Sequence, residues 1–172
     1  MKLQRLYSYV RQAIDDYNMI DKGDKIAIGI SGGKDSLSLL YALAGLCKFY
    51  PKEFSVVAIT VDLGYDGFDT SDIARLCESL NVEYHVVHTQ IKDMLAEGHC
   101  SLCARLRKGA FNDKAKELGC NKIAYAHNMD DVIETMMLGL IYEGRFTSFS
   151  PVTYLDKKNL QEDQKYYLPQ IQ

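Results

Sequence analysis

The sequence predicts an α/β protein with a doubly wound, mainly parallel sheet of five strands and a helix before the first strand. Three observations support this prediction. Short apolar runs recur along the 172 residues, they alternate with segments whose apolar residues have helical spacing, and the first run ends in a glycine-rich turn. Near-continuous apolar strands separated by helices are typical of a parallel sheet that is covered on both faces, with right-handed crossovers.

The predicted elements follow one another in a regular order. Apolar residues at helical spacing predict a first helix over 2–19, which the polar residues Asp21–Asp24 interrupt. Strands are predicted at 25–30, 56–61, 82–87 and 122–126. Each strand precedes a helix: the first of these helices ends before Pro51, and the others span 71–80, 102–118 and 130–142. We expect a fifth strand at Pro151–Leu155.

Composition narrows the class of protein. With 47% apolar and 25% charged residues, the chain is neither disordered nor collagen-like. Its longest apolar runs are far shorter than the roughly 20 residues that cross a bilayer, and the N-terminus does not resemble a signal peptide. We therefore expect a soluble cytoplasmic protein. The net charge of −3 gives no overall electrostatic attraction to nucleic acid, so any such contact needs a local basic patch.

The glycine-rich turn, Ser31-Gly-Gly-Lys-Asp-Ser36, lies between the first strand and its helix. Ligands of parallel α/β sheets bind beyond the carboxyl ends of the strands, where a new helix offers free N–H groups to an anion. A Walker A loop would need glycine at Ile28 and serine or threonine at Asp35, and a dinucleotide fingerprint would need glycine at Ser31. The turn therefore indicates another kind of phosphate loop, or a tight turn in which the glycines only relieve strain.

The five cysteines are an odd number without a secretory signal, which favours metal binding or catalysis over disulfides. Cys100 and Cys103 have the spacing of a shared metal or cluster site, of a redox pair, or of two buried or helix-capping residues. Zinc would need two further ligands and a cuboidal cluster at least one. His99 is the nearest spare donor, but its position next to Cys100 strains joint ligation. The other three are expected to be packing residues: Cys47, Cys77 and Cys120.

Two polar segments have both a functional and a structural interpretation. The basic residues Arg105, Arg107 and Lys108 could contact RNA phosphates or a nucleotide, or they could be the solvated side of an amphipathic helix. Asp130 and Asp131 begin the helix after the fourth strand. Carboxylates there cap the helix, but they could also bind magnesium or a nucleotide, since this turn emerges at the same sheet edge as the glycine-rich turn.

The string Ser31–Ser36 resembles the signature of the PP-loop ATP pyrophosphatase superfamily, and the segment His127–Thr135 resembles the second motif of its tRNA-modifying members. The resemblance implies a Rossmann-like, adenine nucleotide α-hydrolase-like fold and cleavage of ATP between its α- and β-phosphates. It implies that Asp35 holds magnesium and that Asp35 and Asp131 are catalytic. It also implies that these residues bind ATP: Gly29, Ile30, Ser31, Gly32, Gly33, Lys34, Asp35, Ser36, Ala126 and Asp131.

Further segments, Asp62–Phe68, Cys100–Gly109, Glu117–Gly119 and Lys122–Ala124, are similar to the tRNA 2-thiocytidine synthetase family. This resemblance covers roughly residues 1 to 155. It implies that ATP activates C2 of an anticodon-loop cytidine so that sulfur replaces its oxygen. It also implies that Cys100 and Cys103 are catalytic and hold a 4Fe-4S cluster together with a distant third cysteine, which this sequence lacks after Cys120. A partner subunit, a dimer mate or an exogenous thiolate could supply that ligand.

The same resemblance implies tRNA, a sulfur donor such as a cysteine desulfurase, and a second copy of the chain as partners. We expect an N-terminal helix over 1–20, a PP-loop ATP-binding domain over 21–155, and a polar tail over 156–172 that begins a C-terminal region missing here. Two alternatives stay open at this point. One is a lysidine-synthetase-like ligase with an amine nucleophile, and the other is a non-catalytic ATP-binding fragment or subunit.

Overall fold

The structure is a computed structural model and describes residues 3–94, 100–148 and 150–153; the predicted tail at 156–172 lies outside the described residues. Within these ranges helices and strands alternate as the sequence predicts. The elements are α1 (Leu3–Asp16), β1 (Lys25–Gly29), α2 (Lys34–Leu46), β2 (Ser55–Asp62), α3 (Ser71–Leu80), β3 (Glu83–His88), α4 (Ile91–Met94), α5 (Cys100–Glu117), β4 (Lys122–Ala124) and α6 (Met129–Glu143).

The sheet is parallel, with the strand order β3-β2-β1-β4. The chain builds outward from β1 to β3 and then returns to add β4 on the other side of β1. The order therefore reverses between β1 and β4, and in open α/β sheets ligands bind in the crevice at such a reversal. The predicted doubly wound α/β class is confirmed.

The described part of the sheet has four strands, whereas the sequence predicted five. Pro151–Thr153 is not a strand, and Tyr154 and Leu155 lie outside the described residues. Pro151 has no N–H to donate to a neighbouring strand. Val152 instead packs against the hydrophobic core beside the sheet.

Two hydrophobic clusters cover the two faces of the sheet, because alternate strand residues point to opposite sides. One cluster joins Ile26 and Ile28 of β1 to buried side chains of α1, α2 and α3. The other joins Ala27, Val57 and Ile123 to Phe111 and Ala115 of α5. With α1, α2 and α3 on one face and α5 on the other, the strands are held from both sides.

The last helix, α6, differs from the others because none of its residues is buried. Gly144 ends it with a left-handed conformation. Exposed apolar side chains include Leu138 at 55%, Ile141 at 67% and Tyr142 at 80% of their maximum. No helix among the described residues is long and apolar enough to span a bilayer.

A polar network at the amino ends of β1 and β4 fixes these strands to each other. Lys122 is 3% exposed, and its Nζ donates to Met19 O at 2.9 Å and lies 2.7 Å from Asp24 Oδ2. Asn121 Nδ2 donates to the other oxygen of Asp24. Lys25 and Asn121 exchange two further hydrogen bonds, through Asn121 Oδ1 and the backbone. These contacts set the register of the three-residue strand β4 against β1.

Replacing Lys122 by methionine (Lys122→Met) should reduce the free energy of unfolding by about 3–5 kcal/mol, because the buried Asp24 carboxylate loses its countercharge. Urea unfolding followed by circular dichroism measures the change. Lys52→Met is the control, since Lys52 pairs with Asp21 at the surface and its loss should cost less than about 1 kcal/mol. Adding Asp24→Asn to Lys122→Met should recover part of the stability. Equal losses for the two single variants would contradict the prediction.

Candidate functional site

A cleft of about 720 Å³ opens at the carboxyl edge of the sheet. Its walls come from the turn between β1 and α2, the end of β2, one side of α5, and the turn between β4 and α6. It therefore spans the point where the strand order reverses. The two predicted motifs, the glycine-rich turn and the acidic turn, follow the neighbouring strands β1 and β4 and both contribute residues to this cleft.

The glycine-rich turn is held in shape by its own hydrogen bonds. Ser36 Oγ donates to Gly33 O at 2.9 Å and lies 3.2 Å from Ser31 Oγ. Gly32 has a φ of +80°, which disfavours any residue with a side chain. Gly33 is the N-cap of α2 and provides no side-chain acceptor. The first N–H groups of α2 are therefore left for a ligand or water, which is the arrangement that binds phosphate.

Charged residues from both turns meet across the cleft. Lys34 Nζ lies 2.9 Å from Asp35 Oδ1, and this hydrogen bond, with the nearby charges of Asp130 and Asp131, raises the pKa of Lys34. Asn128 Nδ2 approaches Asp35 Oδ2 at 3.5 Å. Lys34 thus stays cationic at neutral pH, and the Asp35 carboxylate faces the acidic turn.

The acidic turn caps α6 with a complete capping box. Asn128 Oδ1 accepts from the backbone N–H of Asp130 at 2.8 Å and of Asp131 at 3.3 Å, while Asp131 Oδ2 accepts from the N–H of Asn128 at 2.8 Å. The capping interpretation is therefore correct for these residues. Asp131 also lines the cleft, so its position is compatible with a second role toward a cation or nucleotide.

Two aromatic rings that pack at a tilted angle line the cleft, and the sequence did not reveal this contact. Tyr125 packs against Phe111 of α5 with ring centroids 5.2 Å apart. A Cβ on Gly29 would lie 2.8 Å from Tyr125 Cε1, so only glycine fits at the end of β1. The buried hydroxyl of Tyr125 has no hydrogen-bond partner among the described residues, and burial raises its pKa. The only sequence signal was a glycine ending an apolar strand, which did not identify its partner.

The helix α5 supplies the basic wall. It begins at Cys100, two residues earlier than predicted, and Arg107 and Lys108 line the cleft. Arg105 lies outside the cleft wall, as expected of a solvated helix residue. Cys103 is partly exposed near the start of the same helix, while His99, the nearest spare donor, lies outside the described residues.

No group of three metal-ligating side chains occurs among the residues that the structure describes. Cys77 and Cys120 are buried in the core, as predicted, whereas Cys47 is partly exposed where α2 ends. Burial raises the pKa of the Cys47 and Cys120 thiols to about 11, which keeps them protonated. These three cysteines do not fit as ligands of a cluster at Cys103, so an iron–sulfur site needs a donor from elsewhere.

The end of β2 forms the remaining wall. Asp62 Oδ1 accepts from the N–H of Gly64 at 2.8 Å, and Asp62 Oδ2 lies 3.0 Å from His88 Nδ1. These two contacts, the first being the larger, lower the pKa of Asp62. Beyond this anchor, Tyr65 and Phe68 line the cleft.

Most of the predicted ATP-binding residues therefore surround a single cleft. Gly32 and Lys34 do not line it directly, since Lys34 extends into solvent with its side chain 84% exposed. The predicted residues in its walls are Gly29, Ile30, Ser31, Gly33, Asp35, Ser36, Ala126 and Asp131. Cleft residues that the sequence did not single out include Thr60, Phe111 and Tyr125, whereas Tyr65 and Phe68 belong to the segment Asp62–Phe68, which had no predicted role in the site.

A doubly wound parallel sheet with an open helix N-terminus beside its reversal point defines a phosphate-binding α/β protein. The model of the PP-loop domain family matches residues 3–165. The chain belongs to that family.

Within this family, the chain is similar to curated tRNA sulfurtransferases. A tRNA-cytidine(32) 2-sulfurtransferase of Saccharophagus degradans is 41% identical over 164 residues, covering 91% of this chain and 53% of the relative. The protein of the same name from Aliivibrio salmonicida is 44% identical over 146 residues, covering 81% and 48%. The chain spans about half the length of these curated relatives.

Solved structures agree on the fold. The U34-tRNA thiolase NcsA from Methanococcus maripaludis, solved with its [4Fe-4S] cluster, is similar with a TM-score of 0.73 and 28% identity, covering 97% of this chain and 57% of that one. The FMN adenylyltransferase of Candida glabrata has a TM-score of 0.51 at 16% identity, covering 98% and 52%, and shows likeness of fold alone.

Replacing Gly29 by alanine (Gly29→Ala) should lower the free energy of unfolding by about 1–3 kcal/mol, because its Cβ overlaps the packed ring of Tyr125. Gly109→Ala is the control: nothing lies within 4 Å of a Cβ there, and alanine in the middle of α5 should stabilise the protein by about 0.5–1 kcal/mol. Urea unfolding compares the two. The explanation fails if Gly29→Ala is as stable as the parent, or if adding Tyr125→Leu recovers nothing.

Because the pKa of Asp62 is lowered in the folded protein, the sign of its effect on the pH dependence of stability can be predicted. Its charged form contributes stability above the ordinary aspartate pKa of about 3.9, and this contribution disappears as the pH falls through the lower folded-state value. The stability difference between the parent and Asp62→Asn should therefore be constant at neutral pH and shrink only in acid. Asp66→Asn, at an exposed carboxylate, is the control. An NMR titration midpoint for Asp62 at or above the ordinary value would contradict the assignment.

Proposed function

We propose that the chain is the ATP-binding part of an ATP-dependent tRNA sulfurtransferase that converts an anticodon-loop cytidine to 2-thiocytidine. The observation that most supports this is the single cleft that joins the open N-terminus of α2, Asp131 and the basic side of α5. Relatives about 40% identical that bear the sulfurtransferase name support the choice of substrate.

In this proposal residues 21–155 are the ATP-binding domain. The N–H groups at the start of α2 and the glycine-rich turn hold the pyrophosphate portion of ATP, and Lys34 neutralises its charge. Asp35 binds Mg²⁺, a cation that prefers carboxylate oxygens, and Asp131 completes the site from the opposite turn. The backbone of Ala126 and the residues Gly29 and Ile30 contact the rest of the nucleotide.

The resemblance to the tRNA 2-thiocytidine synthetase family implies the reaction that this site would perform. The C2 oxygen of cytidine attacks the α-phosphorus of ATP, the bond to the β-phosphate breaks, and pyrophosphate leaves. Hydrosulfide, released from the persulfide of the donor by a reducing thiol, then adds to C2 and loses its proton, and AMP leaves with the original oxygen. An oxygen on carbon is a poor leaving group until it is esterified to phosphate, so activation must come first. The cationic Lys34 and the helix N-terminus stabilise the charge that develops on pyrophosphate.

In the proposed enzyme the cysteine pair takes part in sulfur transfer, and the basic wall of the cleft binds the tRNA. Cys100 and Cys103 would hold a 4Fe-4S cluster only together with a ligand from outside the described residues, and such a cluster would supply the place where sulfur is held for transfer. Arg107 and Lys108 meet tRNA phosphates at the cleft. We also propose a cysteine desulfurase as sulfur donor, a homodimer as the assembled state, and the cytoplasm as its location.

Mass spectrometry of tRNA nucleosides from cells with and without the gene tests the substrate. We expect 2-thiocytidine to disappear on deletion and to return when the gene is restored. Unchanged 2-thiocytidine would contradict the substrate assignment. A sulfur-free cytidine derivative formed in an amine-dependent reaction would favour the ligase alternative.

Single substitutions test whether thiolation and ATP binding depend on different residues of the site. Cys103→Ala should abolish thiolation and leave ATP affinity unchanged, whereas Asp35→Ala should weaken Mg²⁺-dependent ATP binding and thereby reduce thiolation at subsaturating ATP. Cys47→Ala is the matched control, since Cys47 lies at the opposite end of α2 from the cleft. Isothermal titration calorimetry and nucleoside analysis give the two readouts. Full thiolation by Cys103→Ala would rule out the proposed sulfur chemistry.

A further inference from the structure

We propose that Tyr65 and Phe68 form a stacking platform for a nucleobase at the mouth of the cleft. Both side chains line the cleft, yet Tyr65 remains 54% and Phe68 45% exposed. The identity of the base rests on the proposed function: it is the adenine of ATP or an unpaired base of the RNA. The two sources share one chemistry, a flat aromatic ring, and the experiment below distinguishes them.

The loop that presents these rings is fixed by its backbone. Gly64 and Gly67 have φ values of +87° and +79°, so the chain turns sharply on either side of Tyr65. Asp62 Oδ1 accepts from the N–H of Gly64, and Leu63 O accepts from the N–H of Lys92 at 2.9 Å. A Cβ on Gly64 would lie 2.9 Å from Thr89 O, which shows how closely the loop packs against the end of β3. The aromatic rings are therefore exposed on an anchored loop.

A cation adjoins the platform. Lys92 Nζ lies 5.6 Å from the centroid of the Tyr65 ring and 3.4 Å from Asp66 Oδ2. A cation over an aromatic ring favours a preformed orientation of that ring, and its charge suits a neighbouring phosphate. Unstacked bases bind to aromatic side chains in this manner, and stacking tolerates any base because every base has a flat face.

The location of the platform relative to the phosphate loop fits a nucleotide. The phosphate loop follows β1, and the platform follows the neighbouring strand β2 at the same sheet edge. A base that stacks on the platform therefore shares the cleft with phosphates held at α2. The proposal thus assigns the polar end of the cleft to phosphates and its aromatic end to a base.

Fluorescence tests the platform directly, because the chain contains no tryptophan. Phe68→Trp places a single tryptophan at the platform, and Phe49→Trp places one at another exposed position, which packs on Tyr7 away from the cleft. We expect ligand to quench the first and not the second. The ligands are ATP with Mg²⁺, an anticodon stem–loop RNA, and the same RNA with an abasic site in place of the target cytidine.

Quenching by ATP assigns adenine to the platform, and quenching by the intact RNA that the abasic RNA does not reproduce assigns the target base. Tyr65→Leu and Phe68→Leu should each weaken binding of the quenching ligand at least about fivefold, whereas Phe49→Leu should not. The proposal is overturned if no ligand that binds quenches Phe68→Trp, or if both leucine variants bind as the parent does. If ligand quenches Phe68→Trp as expected but the parent protein shows no thiolation activity, the proposed function is contradicted and the platform is not.

Discussion

The buried contact between Lys122 and Asp24 is the interaction on which the geometry of the site depends. The strand β4 has only three residues, so its ladder with β1 is too short to secure its own register. The Lys122–Asp24 pair and the bonds between Asn121 and Lys25 fix that register at the amino ends of the strands. Because β4 is rigidly paired, Tyr125 and the turn that follows it reach the opposite edge in fixed positions.

The two helix N-termini at the cleft are satisfied in different ways. At α6, Asn128 and Asp131 occupy the first N–H groups with their own side chains. At α2, Gly33 leaves those groups without a side-chain acceptor. An unsatisfied helix N-terminus is costly unless water or a ligand bonds to it, so α2 is the end that attracts an anion. The acidic turn, in contrast, offers carboxylate to the cleft and suits a cation that accompanies the phosphates.

Local signals predicted the elements and the convergence of the motifs, whereas contacts between distant residues could not be predicted. The run 25–30 and the string Ser31–Ser36 locate β1 and its phosphate loop because periodicity and turn chemistry are local properties. Tyr125 was assigned to the fourth strand without a role, since its function depends on Gly29 in another strand and Phe111 in α5. The strand order was equally hidden. The expected strand at Pro151–Leu155 was inferred from a run of apolar residues, of which Val152 packs against the core rather than pairing with the sheet.

The charge distribution reconciles an acidic chain with the RNA substrate that we propose. A net charge of −3 gives little long-range attraction to RNA, so recognition has to be concentrated where cations meet the cleft. Arg107 and Lys108 stand on one wall of the cleft, and Asp35 and Asp131 face the same space, while Lys34 extends into solvent beside it. Carboxylates repel RNA phosphates unless a bound cation neutralises them. A Mg²⁺ ion at Asp35 would offset this repulsion, whereas ATP brings negative charge of its own, so Arg107 and Lys108 are the groups through which the cleft can attract RNA.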